Sequence, residues 1–185
     1  LSCEFVKDWQ TRGIPVVPIS VNFSRRDLSY KRIVDEIVEV IDGCGIDRKF
    51  IEIEVTETVS EDERSLMTGF LSKLKDVGIN TAIDDFGTGY SSLSTLRDFP
   101  VKVIKIDRSF ISSDNLNKND EIVLKNIITM SKELGIDVVT EGVEREDQVT
   151  LLKEVGCHIV QGFLYDNPMP KPDFEKRLEK KYYSE

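Results

Sequence analysis

The segment FIEIEV, Phe50 to Val55, alternates without a break: Ile51, Ile53 and Val55 fall on one side of an extended chain, Glu52 and Glu54 on the other. The apolar side suits packing against helices, and the acidic side brings a carboxylate to the end of the strand. Working outward, the same design recurs in PVVPISVN (Pro15 to Asn22), INTAIDD (Ile79 to Asp85), VKVIKID (Val101 to Asp107), DVVTE (Asp137 to Glu141) and HIVQGF (His158 to Phe163). The six strands end in Asn22, Glu54, Asp84 with Asp85, Lys105, Glu141 and Gln161. Each shares a pleat face with the residue two before it: Ser20, Glu52, Ala82, Val103, Val139 and Ile159. The alternate positions Ile19, Val21, Ile51, Ile53, Ile83, Ile104 and Ile106 are branched and apolar, so the polar set faces inward at the carboxyl ends. That is where barrels and doubly wound α/β folds bind ligands.

Helical patterns fill the intervals. Cys3 to Gln10 and Tyr30 to Ile41 are amphipathic, and Ser60 to Val77 opens with Ser60 and Glu63 in capping-box spacing and stops at Gly78. Ser91 to Phe99 ends at Pro100, Asp120 to Leu134 at Gly135 and Arg145 to Val155 at Gly156, and a last helix follows over Asp173 to Lys181. Strands alternating with helices through short connections demand a parallel sheet with helices outside. Six such units in 185 residues fall short of the eight units, in about 250 residues, of a closed barrel. Two N-terminal strands are therefore expected upstream of Leu1.

With 39% hydrophobic and 32% charged residues, the chain reads as a single domain over residues 1–185. No apolar run approaches a membrane span and no leader is visible, so a cytoplasmic location is expected, including as the cytoplasmic part of a larger membrane-attached protein. Cys3, Cys44 and Cys157 have no metal-site spacing and read as reduced thiols. A net charge of −9 argues against a DNA or RNA polymer as partner, while an acidic site still accepts a phosphate ligand when divalent cations intervene.

The segments SVNFS (Ser20 to Ser24), IEIEVTET (Ile51 to Thr58), DDFGTGYSSL (Asp84 to Leu93), VIKIDRSFI (Val103 to Ile111), TEGVE (Thr140 to Glu144) and QGFLYDNPMP (Gln161 to Pro170) together resemble the EAL family of cyclic di-GMP phosphodiesterases, in the expected order and over nearly the whole chain. The resemblance implies an α/β fold, a TIM-like (β/α)8 barrel of the EAL type with about six of its eight units present. It also implies hydrolysis of cyclic di-GMP to linear pGpG with Mg²⁺ or Mn²⁺, two ions. By the same resemblance Asn22, Glu54 and Asp84 would ligate one metal, Asp85 with Asp84 would serve the second, and Glu141 would hold a metal or its water. Lys105 would position or help activate the attacking water, Gln161 would contact that water network, and Glu57 would anchor the loop after Asp85 through a hydroxyl or amide in Thr88 to Ser92. A homodimer contact near that loop and an attached GGDEF or sensory domain are further family expectations. The tripeptide that names the family, with its glutamate ligand, is expected upstream of Leu1, and we read the chain as a fragment of a competent enzyme. Thr140 departs from the family's usual alanine, and no guanine contact is assigned to Phe163 to Asn167.

The chemistry supports these residue types independently. Hard divalent cations take oxygen ligands, and two of them about 4 Å apart activate a water and stabilise both attacking and leaving oxygens. A bare carboxylate cluster would repel both itself and a phosphate, so the charges call for a metal and for Lys105. Gly87 and Gly89 let the following loop approach a ligand. A strand-end carboxylate is often only a helix cap or surface charge, but the joint set favours a site. Glu52 reads as a structural ion-pair partner, a lysine being the expected counterpart, Asp107 as the cap of the RSF turn, His158 as structural, and Trp9 as core, while Phe23 and Tyr90 are expected near the mouth. The competing class is a catalytically inactive EAL-like module that binds cyclic di-GMP or a protein partner. An enolase-like barrel would explain the carboxylates but has no use for DDFGTGYSSL with TEGVE.

Overall fold

The computed structural model describes residues 1–180 except Arg25, Asp27, Ser29, Tyr90, Ser91 and 113–117, and at 61, 62 and 92 the backbone alone. The chain runs α1 (Ser2–Arg12), β1 (Ile19–Asn22), α2 (Ile33–Gly43), β2 (Ile51–Thr56), α3 (Glu61–Asp76), β3 (Asn80–Phe86), α4 (Ser92–Asp98), β4 (Val103–Ile106), α5 (Lys118–Glu133), β5 (Asp137–Thr140), α6 (Glu146–Glu154), β6 (Ile159–Val160) and α7 (Lys171–Lys180). The strands form one sheet in the order β1-β2-β3-β4-β5-β6, every neighbouring pair parallel. The alternating pattern predicts such a parallel sheet with helices outside, and its curl makes it the α/β half-barrel, six of eight units, that the resemblance implies.

Several boundaries differ from the sequence reading, for physical reasons. Only Ile19–Asn22 of the first predicted strand enters the ladder, because Pro15 and Pro18 have no N–H to donate to it. The last strand pairs over Ile159 and Val160 alone, though Gln161 N still donates to Thr140 O at 2.9 Å. Helix α2 begins at Ile33 rather than Tyr30, whose hydroxyl instead donates to Glu36 at 2.7 Å. The predicted capping box forms: Ser60 Oγ accepts from Glu63 N, and the Glu63 carboxylate accepts from Ser60 N. The expectations placed on Tyr90, Ser91 and Lys181 lie outside the described residues.

The apolar alternates do the packing. Ile51, Ile53, Val55, Ile83, Ile104, Ile106 and Val138 are buried in one cluster with Met67, Phe70 and Leu71 of α3, Leu124 and Ile128 of α5 and Leu152 of α6. At about 25 cal/mol per Å² this burial is the main favourable term of folding. Helix α7 returns to α1: Trp9, buried, donates from Nε1 to Glu175 at 3.0 Å and its ring lies 5.8 Å from that of Phe174. Arg12 grips the same carboxylate with both terminal nitrogens, at 2.8 and 2.9 Å. Among the described residues no helix is long and apolar enough to cross a membrane.

Candidate metal centre and active site

Parallel strands in register deliver the inward side chains of β2 to β5 to one place. Lys105, near the end of β4, sits with its ammonium 2.6 Å from Glu141, 3.1 Å from Glu54 and 3.2 Å from Asp84. Burial pulls the Lys105 pKa down, but the hydrogen bonds to Glu141 and Glu54 outweigh it and hold the group above its ordinary range, hence protonated. Burial pushes the Glu141 carboxyl up, against the pull of Lys105 and with Asp84 and Glu54 adding to the rise. Asp85 is raised chiefly by burial and then by Asp84.

Two consecutive residues of a regular strand point to opposite faces. Between β3 and β4 the register slips, Ile83 pairing with Ile104 and Phe86 with Ile106, so β3 carries one extra residue. Asp85 lies in that bulge at φ 53°, the one non-glycine residue in the left-handed region among those described. The bulge turns its carboxylate back, so that oxygens of Asp84, Asp85 and Glu141 lie within 4.8 Å of one another. At that separation two carboxylates repel by about 3 kcal/mol for an effective dielectric near 20.

The loop after Asp85 is held from behind. Glu57, 1% exposed, accepts from Gly87 N at 2.7 Å and Gly89 N at 3.3 Å through one oxygen. The backbone amides of two glycines therefore do the anchoring, one of them outside the expected Thr88 to Ser92. Gly87 has φ 97°, and a Cβ there would stand 2.3 Å from the Phe110 ring.

The remaining expected residues fall elsewhere. Asn22 closes β1 directly across from Glu54 in the ladder, with an exposed side chain. Gln161 lines a cavity of about 480 Å³ beside the cluster, together with Arg108, Glu144, Phe163, Asp166 and Met169. Glu52 accepts a hydrogen bond from the Ser20 hydroxyl at 2.9 Å, and a lysine, Lys105, acts on it by charge alone. Asp107 caps the Arg108–Phe110 turn through Ser109 N at 2.9 Å, and His158 is exposed ahead of β6. The sequence reading overlooked Arg108 and Glu144 as cavity walls and Gln148 as a buried amide. Gln148 was detectable in principle, as a polar residue in line with Leu152 and Val155 at spacings of four and seven on α6.

The donor set fits hard divalent cations: carboxylate oxygens of Asp84, Asp85 and Glu141 converge from two strand ends, and Asp84 Oδ1 is buried with no hydrogen bond although the Lys105 ammonium is 3.2 Å away. Such an oxygen is poised for a partner that is not a protein donor.

Comparisons with known proteins agree with this geometry. The family model described as the EAL domain matches residues 1–168. The chain is 34% identical over 177 residues to the cyclic di-GMP phosphodiesterase NbdA of Pseudomonas aeruginosa, covering 96% of this chain and 23% of that protein. The crystal structure of the EAL domain of Mycobacterium smegmatis DcpA superposes with a TM-score of 0.86 at 32% identity, over 97% of this chain and 81% of that one. The manganese and cyclic di-GMP complex of Klebsiella pneumoniae BlrP1 gives a TM-score of 0.77 at 29% identity, over 89% and 42% of the two chains. The chain spans about a quarter of the length of the curated relatives it matches.

Proposed function

The chain belongs to the EAL domain family, and from that premise we propose that it is a metal-dependent phosphodiesterase hydrolysing cyclic di-GMP to linear pGpG in bacterial second-messenger signalling. The observation that carries the reading is the convergence of Glu54, Asp84 and Glu141 on Lys105, with oxygens of Asp85, Asp84 and Glu141 within 4.8 Å of one another. The name of NbdA and the ligands of the BlrP1 complex support the substrate and the metal.

Glu54, Asp84, Asp85 and Glu141, with Asn22 from the neighbouring strand, would hold Mg²⁺ or Mn²⁺, two ions in all. Bound there, they supply Lewis-acid polarisation of the phosphate and a more acidic water. Lys105 offers N–H donors to the attacking and phosphoryl oxygens and acts by charge and orientation. Gln161 faces the adjoining cavity, from which the substrate and its water network approach. In the reaction the water oxygen joins phosphorus, one P–O ester bond breaks and the water's proton ends on the leaving alcohol. Glu57 fixes the Gly87 loop, which seats Asp85. The proposal extends to a cytoplasmic setting, an attached GGDEF or sensory domain, and a homodimer contact near that loop; relatives several times longer than this chain support the attached domain.

Chromatography of cyclic di-GMP incubated with the protein and Mg²⁺ or Mn²⁺ tests the reading, with calorimetry of cyclic di-GMP binding run alongside, for this chain and for a version extended upstream through the expected EAL segment. The expected result is pGpG from the extended version, abolished by Asp85→Asn. Binding without product in either version would make the domain a receptor, and neither binding nor product would overturn the reading.

A further inference from the structure

Three of the strand-end loops around the acidic cluster meet at one short turn, Arg108–Phe110. On one side its Phe110 ring fills the space above Gly87, which follows Asp85; on the other, the Arg108 Cβ would stand 2.4 Å from a Cβ on Gly142, which follows Glu141. The turn itself follows β4, which carries Lys105. Its start is pinned by Asp107, and its end by a residue far along the chain. Gln148 of α6, 4% exposed, donates from Nε2 to Ile111 O at 2.9 Å, and its Oε1 accepts from Glu144 N at 2.8 Å and Arg145 N at 3.0 Å.

We propose that Gln148 is a positioning residue for the acidic cluster: its amide ties the turn after Lys105 to the loop after Glu141 and, through Phe110, sets the seat of the Gly87 loop. The inference rests on reading that cluster as a metal centre. Three backbone groups fix the amide's orientation, since only one flip places the oxygen on two N–H donors and the nitrogen on a carbonyl. The bond to Ile111 O is the part that an N-terminal helix cap does not need. It spans 37 residues of sequence and joins two loops whose strands carry Lys105 and Glu141, 2.6 Å apart.

Gln148→Glu separates the two roles, because it keeps both acceptor bonds to Glu144 and Arg145 and sets an oxygen against the Ile111 carbonyl. The expected result is Mn²⁺ affinity, measured by calorimetry, lower by about 10–100-fold, with faster hydrogen exchange at the Gly87 and Glu141 amides of the metal-free protein. Val149→Ala, the next residue on the same helix and buried in the core, lowers Tm and leaves Mn²⁺ affinity unchanged. Wild-type affinity or unchanged exchange in Gln148→Glu would overturn the inference and leave Gln148 a helix cap, as would an equal loss of affinity in Val149→Ala. Should Gln148→Glu not fold, Gln148→Met, uncharged and of similar length, is judged by the same comparison. If the wild type takes up no Mn²⁺, the metal reading fails, and exchange at Gly87 and Glu141 still decides the positioning role.

Discussion

Among the described residues Lys105 is the cation within reach of three carboxylates at three strand ends, at 2.6 to 3.2 Å, and the cluster's charge balance turns on it. Removing one member of a buried ion pair commonly costs about 3–5 kcal/mol because the partner charge stays behind. Lys105→Met should therefore lower Tm of the metal-free protein, regain more of it on adding Mn²⁺ than the wild type gains, and reduce phosphodiesterase turnover by about 10²–10⁴-fold. A melt with and without Mn²⁺, beside the chromatographic assay, checks this; an unchanged metal-free Tm would mean the carboxylates do not need the ammonium. Gly87 is the steric constraint on the loop after Asp85. At φ 97° and with the Phe110 ring in the way, Gly87→Ala should displace the loop that seats Asp85 and lower both Tm and activity. Calorimetric Mn²⁺ affinity equal to that of the wild type would show that this loop does not seat Asp85 in the metal centre.

Among the elements, β3 brings Asp84 and Asp85 to one cluster through its bulge, while the caps and ion pairs of α3 and α4 bear on stability. The capping box at Ser60 makes a clean case: Ser60→Ala should cost about 1 kcal/mol in denaturant unfolding, with Mn²⁺ affinity as in the wild type. At the end of α4, hydrogen bonds from Arg97 first and Arg64 next hold the Asp98 carboxyl down to about 2. A depressed folded pKa gives stability that is present above the unfolded value near 4 and is lost as pH falls toward 2. The Tm gap between wild type and Asp98→Asn should accordingly be open at pH 5 and closed at pH 2; a gap that does not narrow would place the effect in packing, for instance of Arg64 over the Phe99 ring at 5.1 Å.

For the molecule as a whole, the return of α7 to α1 joins residues 166 apart in sequence, with Trp9 at its centre and Glu175 receiving both Trp9 and Arg12. The ion pairs there are open to solvent on the Arg12 side, so the buried ring carries most of the energy. Trp9→Ala should cost about 3–5 kcal/mol and raise hydrogen exchange throughout α7, whereas Glu175→Gln should stay within about 1 kcal/mol. Equal costs for the two would show that the ion pairs, and not the ring, hold the helix. By itself the sequence determined the parallel α/β architecture and which side chains lie near the carboxyl ends of the strands, because a period of two with branched residues on one face and Glu52, Glu54, Asp84, Lys105 and Glu141 on or near the other is a local property of the chain. Local pattern also announced the Ser60 and Asp107 caps. Only the tertiary structure decided that Asp84 and Asp85, which a regular strand would send to opposite faces, serve one cluster, since that depends on an extra residue accommodated against β4. It alone placed Gln161 on a neighbouring cavity, gave Glu52 a serine partner and set Gln148 across two loops. Those outcomes depend on which groups lie across space once the sheet has curled, and spacing along the chain carries no record of that.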